Sequence, residues 1–216
     1  MSRMEYCEER REVARFMRRL YRMGLTTTSG GNLSLRLADG NTLLTPSASD
    51  KGRMRAREIG VLSPAGELVA PPGFRPSIES RMHLAVYQAR PEIGAVVHAH
   101  PLTASAFAGT RAEIDTTLIA ESHAILGQIV YVPYFPMGSA ELAEAIGKAA
   151  ATADCLVMRN HGALTVGRNL LQAFDRLEVL ESAARMTLLV RQHLRDETTP
   201  LDFEALAQID RFMGRR

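Results

Sequence analysis

Cysteine is scarce in this chain. Cys7 and Cys155 are the only two in 216 residues, far apart and outside any Cys-x-x-Cys context. A disulfide framework is thereby excluded, a reducing cytosol is expected, and both residues read as ordinary thiols. No run of 18 apolar residues occurs, so no membrane-spanning helix is expected. The opening Met1-Ser2-Arg3-Met4-Glu5 leads into a charged helix without an apolar segment, which argues against a secretory signal. A surplus of charge is missing too: 26 Lys plus Arg face 24 Asp plus Glu, a formal net charge of +2. That balance gives no reason to expect a nucleic-acid or membrane surface. The arginines at 10, 11, 15, 18 and 19 read as a solvated helix face. Repeats, low-complexity tracts and linkers are absent as well. What remains is one cytoplasmic domain over residues 1–216, with 46% hydrophobic residues to fill its core.

The apolar pattern divides the chain into short strands and amphipathic helices. Helices are expected over about 4–23, 77–89, 101–107, 139–150, 170–194 and 202–213. Gly24 stops the first, Ser77 and Ser139 cap the second and fourth, and Pro101 suits the first turn of the third. Strands are expected at 32–36, 42–45, 60–62, 67–69, 93–98, 129–132, 155–158 and 163–166. The turns between the early strands (Asp39-Gly40, Pro64-Ala65-Gly66, Pro71-Pro72-Gly73) favour antiparallel pairing. The fold class is therefore α/β: a central, mostly antiparallel sheet flanked by helices.

Three histidines carry the chemistry. His98 and His100 are separated by one residue at the end of an apolar strand, so their side chains project to the same side, close enough to share a metal ion. Two hydrogen-bonded histidines without a metal would show the same spacing. His161 sits in the turn Asn160-His161-Gly162, where it packs no core and where Gly162 lets another group come close. Three ligands with an open fourth position is the count of a catalytic zinc site. Imidazoles also accept Mn²⁺, Co²⁺ or Fe²⁺. Glu79, in Pro76-Ser77-Ile78-Glu79, either stabilises the first turn of its own helix or shuttles a proton beside the metal. Two small polar segments, Thr28-Ser29-Gly30-Gly31-Asn32 and Thr45-Pro46-Ser47-Ala48-Ser49, together with Ser77, have the composition of an anion site. Lys51 and Arg75 are nearby basic residues without a firm role.

Taken in order, Ser29-Gly-Gly-Asn32, Thr45-Pro-Ser47, Pro76-Ser-Ile-Glu79, Val97-His-Ala-His100 and Asn160-His-Gly162 resemble the class II aldolase and adducin head family over about residues 8–190. The pattern is nearest to the branch that cleaves L-fuculose 1-phosphate. The resemblance implies a three-layer α/β/α domain and a homotetramer with active sites between subunits. It implies zinc on His98, His100 and His161, and Glu79 handling the proton. It also implies a substrate phosphate held by Gly31, Asn32, Ser47, Ala48 and Ser77. The activity implied is reversible cleavage of a small ketose 1-phosphate, L-fuculose-like or a 5-deoxypentulose, to dihydroxyacetone phosphate and an aldehyde. This chain departs from that branch at Ile78, which replaces a second serine, at Ser47-Ala48, and in lacking a tyrosine over 114–120. Glu121 lies where related methylthioribulose-1-phosphate dehydratases place an acid/base glutamate, and dehydration is the alternative reaction. On its own Glu121 reads equally as a solvated loop carboxylate, and His123 is a weaker candidate for the same role. A non-enzymatic adducin-like scaffold is the alternative of a different class, against which the complete histidine triad argues.

Overall fold

Alternating apolar side chains along short strands dictate where the layers lie. In the computed structural model, which describes residues 5–71, 73–194 and 197–215, eight strands form one sheet. They are β1 (Asn32–Arg36), β2 (Thr42–Leu44), β3 (Gly60–Leu62), β4 (Leu68–Ala70), β5 (Ala95–Ala99), β6 (Ile129–Val132), β7 (Cys155–Met158) and β8 (Gly162–Gly167). Their spatial order is β4-β3-β2-β1-β5-β8-β7-β6. Every neighbouring pair is antiparallel except β6 and β7, which run parallel because a helical crossover joins them. Around the sheet lie α1 (Cys7–Arg22), α2 (Ser80–Ala89), α3 (Leu102–Ala108), α4 (Ala120–Leu126), α5 (Ala140–Ala150), α6 (Leu170–His193) and α7 (Phe203–Phe212).

The side-chain period of two splits the core in half. Ala95, Val97 and Ala99 of β5, with Cys155 and Val157 of β7, face Met17 and Leu20 of α1, Phe107 of α3 and Phe174 and Leu177 of α6. Val96, Leu156, Leu164 and Val166 face the opposite way, onto Met82 and Val86 of α2 and Leu142 and Ile146 of α5. Two helical layers thus enclose the sheet, giving the expected three-layer α/β/α fold with a mostly antiparallel sheet. Phe174, fully buried, meets the Phe16 ring at 5.3 Å and carries the Arg19 guanidinium 4.4 Å from its centroid. Phe174→Ala is expected to cost about 3–5 kcal/mol. Guanidinium unfolding would read this as a lower midpoint with an unchanged slope.

Several boundaries differ from the sequence reading for identifiable reasons. Helix α2 begins at Ser80 rather than 77, because Ser77 Oγ accepts from the Glu79 N–H and forms a turn of its own instead of capping the helix. Ser139 does cap α5, accepting from Leu142 N. Helix α1 starts at Cys7, and the expected start at residue 4 lies outside the described residues, as do Pro72 and Arg216. The arginines of α1 are not simply a solvated face: Arg10 is buried and donates to Glu5 O and Ile59 O, while Arg19 pairs with Glu178 at 2.8 Å. Both cysteines are free, and burial pushes the Cys155 thiol up to about 12, so it is an inert core residue. Among the described residues no helix is long and apolar enough to cross a membrane.

Candidate active site

The backbone brings the three histidines together from two places in the chain. His98 lies on β5 and His100 follows the strand, so both rings emerge on one side, 4.9 Å apart between centroids. His161 occupies the β7–β8 turn, and the pairing of β8 with β5 carries that turn alongside. Its ring lies 4.9 Å from His98 and 5.6 Å from His100. Asn160 takes a left-handed conformation at φ 55 and donates its N–H to Ala108 O, which sets the turn. Gly162 has no room for a side chain: a Cβ there would meet His100 Cδ2 at 2.6 Å.

A ring nitrogen from each histidine lies within 4.8 Å of the others. His98 Nδ1 donates to Ala163 O at 2.9 Å, which fixes the tautomer and leaves Nε2 as a lone pair. Four buried ring nitrogens of these three histidines lack a hydrogen-bond partner: Nε2 of His98, His100 and His161, and Nδ1 of His161. Unpartnered buried nitrogens are costly, and three of them converging is the donor set of a divalent cation bound at about 2.0–2.1 Å. Burial, reinforced by the neighbouring imidazoles, pushes His100 down to about 4, so its ring stays unprotonated through the neutral range. The residues present therefore fit a metal.

Glu79 immediately precedes α2, on the face of the sheet that His98 shares. Its Oε1 is 2.9 Å from His161 Nε2 and its Oε2 is 3.3 Å from His98 Nε2, yet neither contact has the angle of a hydrogen bond. Burial alone would raise this carboxyl. The facing imidazoles, His98 above all, outweigh it and hold the group well below the ordinary carboxylate range. Asn32, paired across the β1–β5 ladder with His98, donates to Glu79 Oε2 at 2.8 Å and to Ser77 Oγ at 3.1 Å.

The proposed phosphate residues gather beside this carboxylate. Ser77 Oγ accepts from both Asn32 Nδ2 and Glu79 N, which leaves its own hydroxyl proton free to donate. The N–H groups of Gly31 and Ala48 have no partner among the described residues, and both residues sit at positive φ, 65 and 48. Gly31 also has no space for a Cβ, which would fall 2.8 Å from His98 O. Ser47 is half-buried and its N–H is taken by Arg75 O, so only its hydroxyl is available.

Lys51, left unassigned from the sequence, proves to be buried. Its Nζ donates to Pro46 O at 2.7 Å and Ser49 Oγ, its N–H to Thr28 O, so it ties the two polar segments together. No carboxylate pairs with it among the described residues, and burial lowers it to about 8 against the pull of Glu79. Its place directly after Ser49-Asp50 was the available signal. Arg75 is exposed.

Glu121 is not brought to the histidines of its own chain. It lies on α4, a helix too short to show a period, and lines a cavity of about 420 Å³ with Leu25, Glu178, Glu181 and Arg185. His123 is engaged elsewhere, its Nε2 3.0 Å from Asp210 on α7.

The family model for the class II aldolase and adducin N-terminal domain matches residues 11–188. An L-fuculose phosphate aldolase of Methanococcus maripaludis is 32% identical over 180 residues, covering 83% of this chain and 96% of that protein. A 3-oxo-tetronate 4-phosphate decarboxylase of Haemophilus influenzae is 34% identical over 174 residues, covering 78% and 81%. The solved structure of an L-fuculose 1-phosphate aldolase superposes with a TM-score of 0.88 at 28% identity, covering 99% of this chain and all of the other. Relatives of this kind and a three-imidazole cluster mark a metal-dependent lyase of sugar-phosphate metabolism. The chain belongs to the class II aldolase and adducin N-terminal domain family.

Proposed function

We propose that this protein is a zinc-dependent aldolase that reversibly cleaves a small ketose 1-phosphate to dihydroxyacetone phosphate and an aldehyde. The observation that carries the reading is the carboxylate of Glu79, lodged 2.9 and 3.3 Å from two of the three imidazoles whose Nε2 atoms have no partner. His98, His100 and His161 would hold the metal, which supplies a Lewis acid for the substrate carbonyl. Ser77 Oγ–H, Ser47 Oγ–H and the N–H groups of Gly31 and Ala48 would hold the phosphate, with the Lys51 ammonium behind the loop. Asn32 contributes by orienting Ser77 and Glu79.

In the cleavage direction the hydroxyl on C4 loses its proton and the C3–C4 bond breaks. The aldehyde leaves and the electron pair stays on C3. In the synthetic direction the Glu79 carboxylate takes a proton from C3; in cleavage it enters protonated from solvent and returns that proton to C3. The group that accepts the C4 hydroxyl proton has to come from outside the chain's own site. Glu121, exposed on α4, fits as a residue offered to a neighbouring subunit of a homotetramer.

A second reading is favoured by the 34% identity to the decarboxylase. Loss of CO₂ from a 3-oxo acid 4-phosphate leaves the same electron pair next to the same carbonyl, and Glu79 would protonate it. An assay of purified protein on L-fuculose, ribulose and 5-deoxyribulose 1-phosphates and on 3-oxo-tetronate 4-phosphate tests both, since each reaction yields dihydroxyacetone phosphate. An aldehyde co-product supports the aldolase, CO₂ supports the decarboxylase. Silence on all four, with water loss from methylthioribulose 1-phosphate, would overturn both in favour of a dehydratase.

Ser77→Ala is expected to raise KM about tenfold or more, because a hydrogen bond to a charged group is worth about 1.5–3 kcal/mol. Its effect on kcat should be smaller. An unchanged KM would remove Ser77 from the phosphate site.

A further inference from the structure

Beneath the site runs a line of buried polar groups of which the proposed chemistry uses only Asn32. Asn32, Ser34, His83 and Tyr87 are at most 6% exposed. His83 Nε2 contacts Asn32 Oδ1, and its Nδ1 is 2.7 Å from Ser34 Oγ. Ser34 Oγ is in turn 2.7 Å from the Tyr87 hydroxyl. The residues come from two elements only, β1 and α2, which also carry the ends of the site.

The protons in this line can be assigned from one end. A carboxylate only accepts, so the Asn32 atom 2.8 Å from Glu79 Oε2 is the amide nitrogen. Its partner Oδ1 then faces His83, and His83 Nε2 must carry the ring proton. His83 Nδ1 is left as an acceptor and takes the Ser34 hydroxyl proton. Ser34 Oγ accepts from Tyr87. Donation runs one way, from Tyr87 through Ser34, His83 and Asn32 to Glu79 Oε2, and such chains strengthen each member.

We infer that His83 is a positioning residue for Glu79: by donating from Nε2 to Asn32 Oδ1 it locks the amide, which anchors Oε2 and leaves Oε1 as the oxygen that moves the substrate proton. Oε1 has no hydrogen bond and is the carboxylate atom nearest His161, at 2.9 Å. Without the His83 donor, the Asn32 amide is held only through its nitrogen, by Glu79 and Ser77, and its plane can swing, which loosens the anchor on Oε2. The inference rests on the proposed role of Glu79.

The test compares His83→Leu with His83→Gln in metal-loaded enzyme. The Leu variant is expected to lose about 10–100-fold in kcat, the range for partners that orient catalytic groups, while KM and metal content stay near wild type. The Gln variant, whose side-chain N–H₂ can still reach Asn32 Oδ1, is expected to recover most of the loss. Long-range ¹H–¹⁵N spectra of the imidazoles provide a readout free of activity. They should show the Nε2–H tautomer for His83 in the wild type and a mixture in Ser34→Ala. A wild-type His83 carrying its proton on Nδ1 overturns the inference, whatever the activity. So does an undiminished kcat in His83→Leu, an equal loss in His83→Gln, or loss of metal in either. Wild-type inactivity on every sugar phosphate would sink the functional reading instead, and the spectra would still decide the tautomer.

Discussion

Glu79→Gln is expected to keep its fold and its bound metal while losing about 10²–10⁴-fold in kcat. The amide fills the same space and can still accept from Asn32, so the line of buried donors ends on a satisfied oxygen. What it cannot do is take or deliver a proton at the carbon next to the carbonyl. The loss should fall on kcat and kcat/KM together with little change in KM, because the missing interaction exists only as the proton moves. Steady-state kinetics with metal analysis of the same preparation checks this. Near-normal turnover would remove Glu79 from the chemistry.

His161→Ala is expected to give protein with well under stoichiometric metal and a kcat/KM lower by roughly a thousandfold or more, since a Lewis-acid ion supplies several kcal/mol and each 1.36 kcal/mol is a factor of ten. Two histidines on one strand end remain, but the third direction of the donor set is gone. Elemental analysis is the readout. Dialysis of wild-type protein against a chelator should reproduce the defect, and adding back Zn²⁺, Mn²⁺ or Co²⁺ in turn would show which ion the site prefers. His123→Ala is the control, because its ring is tied to Asp210 and should not affect loading. Full metal in His161→Ala would overturn the three-ligand site.

Much of the fold was legible because α1 carries a strong helical period and strand side chains alternate between faces. The apolar stripe of α1 and the dense apolar run of β5 mark both as core elements without a structure. The His98-Ala99-His100 spacing foretold a shared side for the same reason. Helix α4 was missed because seven residues with no side-chain cap carry too little pattern. The start of α2 was misjudged because Ser77 has two possible employments, helix cap or turn, and only the contact with Asn32 decides between them. Asn32 itself read as a phosphate ligand only through the family resemblance, its loop having no more than the composition of an anion site. Its tie to Glu79 depends on the β1–β5 register, which no local pattern encodes. Arg10 read as part of a solvated face and Lys51 had no firm role; both are buried because backbone carbonyls, of Ile59 and of Pro46, take their protons.

The three rings of the site are restrained by different means. His98 is held by a carbonyl, whereas His100 makes no hydrogen bond through a ring nitrogen among the described residues. It is fenced by the bare backbones of Gly30 and Gly162, where an added methyl would fall 2.9 Å from Nδ1 and 2.6 Å from Cδ2. Walls made of carbon and amide resist rotation but do not distinguish a protonated ring from a neutral one. An incoming ion can thus take the lone pair of this neutral imidazole without any change of pose, and a donor held by walls alone needs no rearrangement to bind.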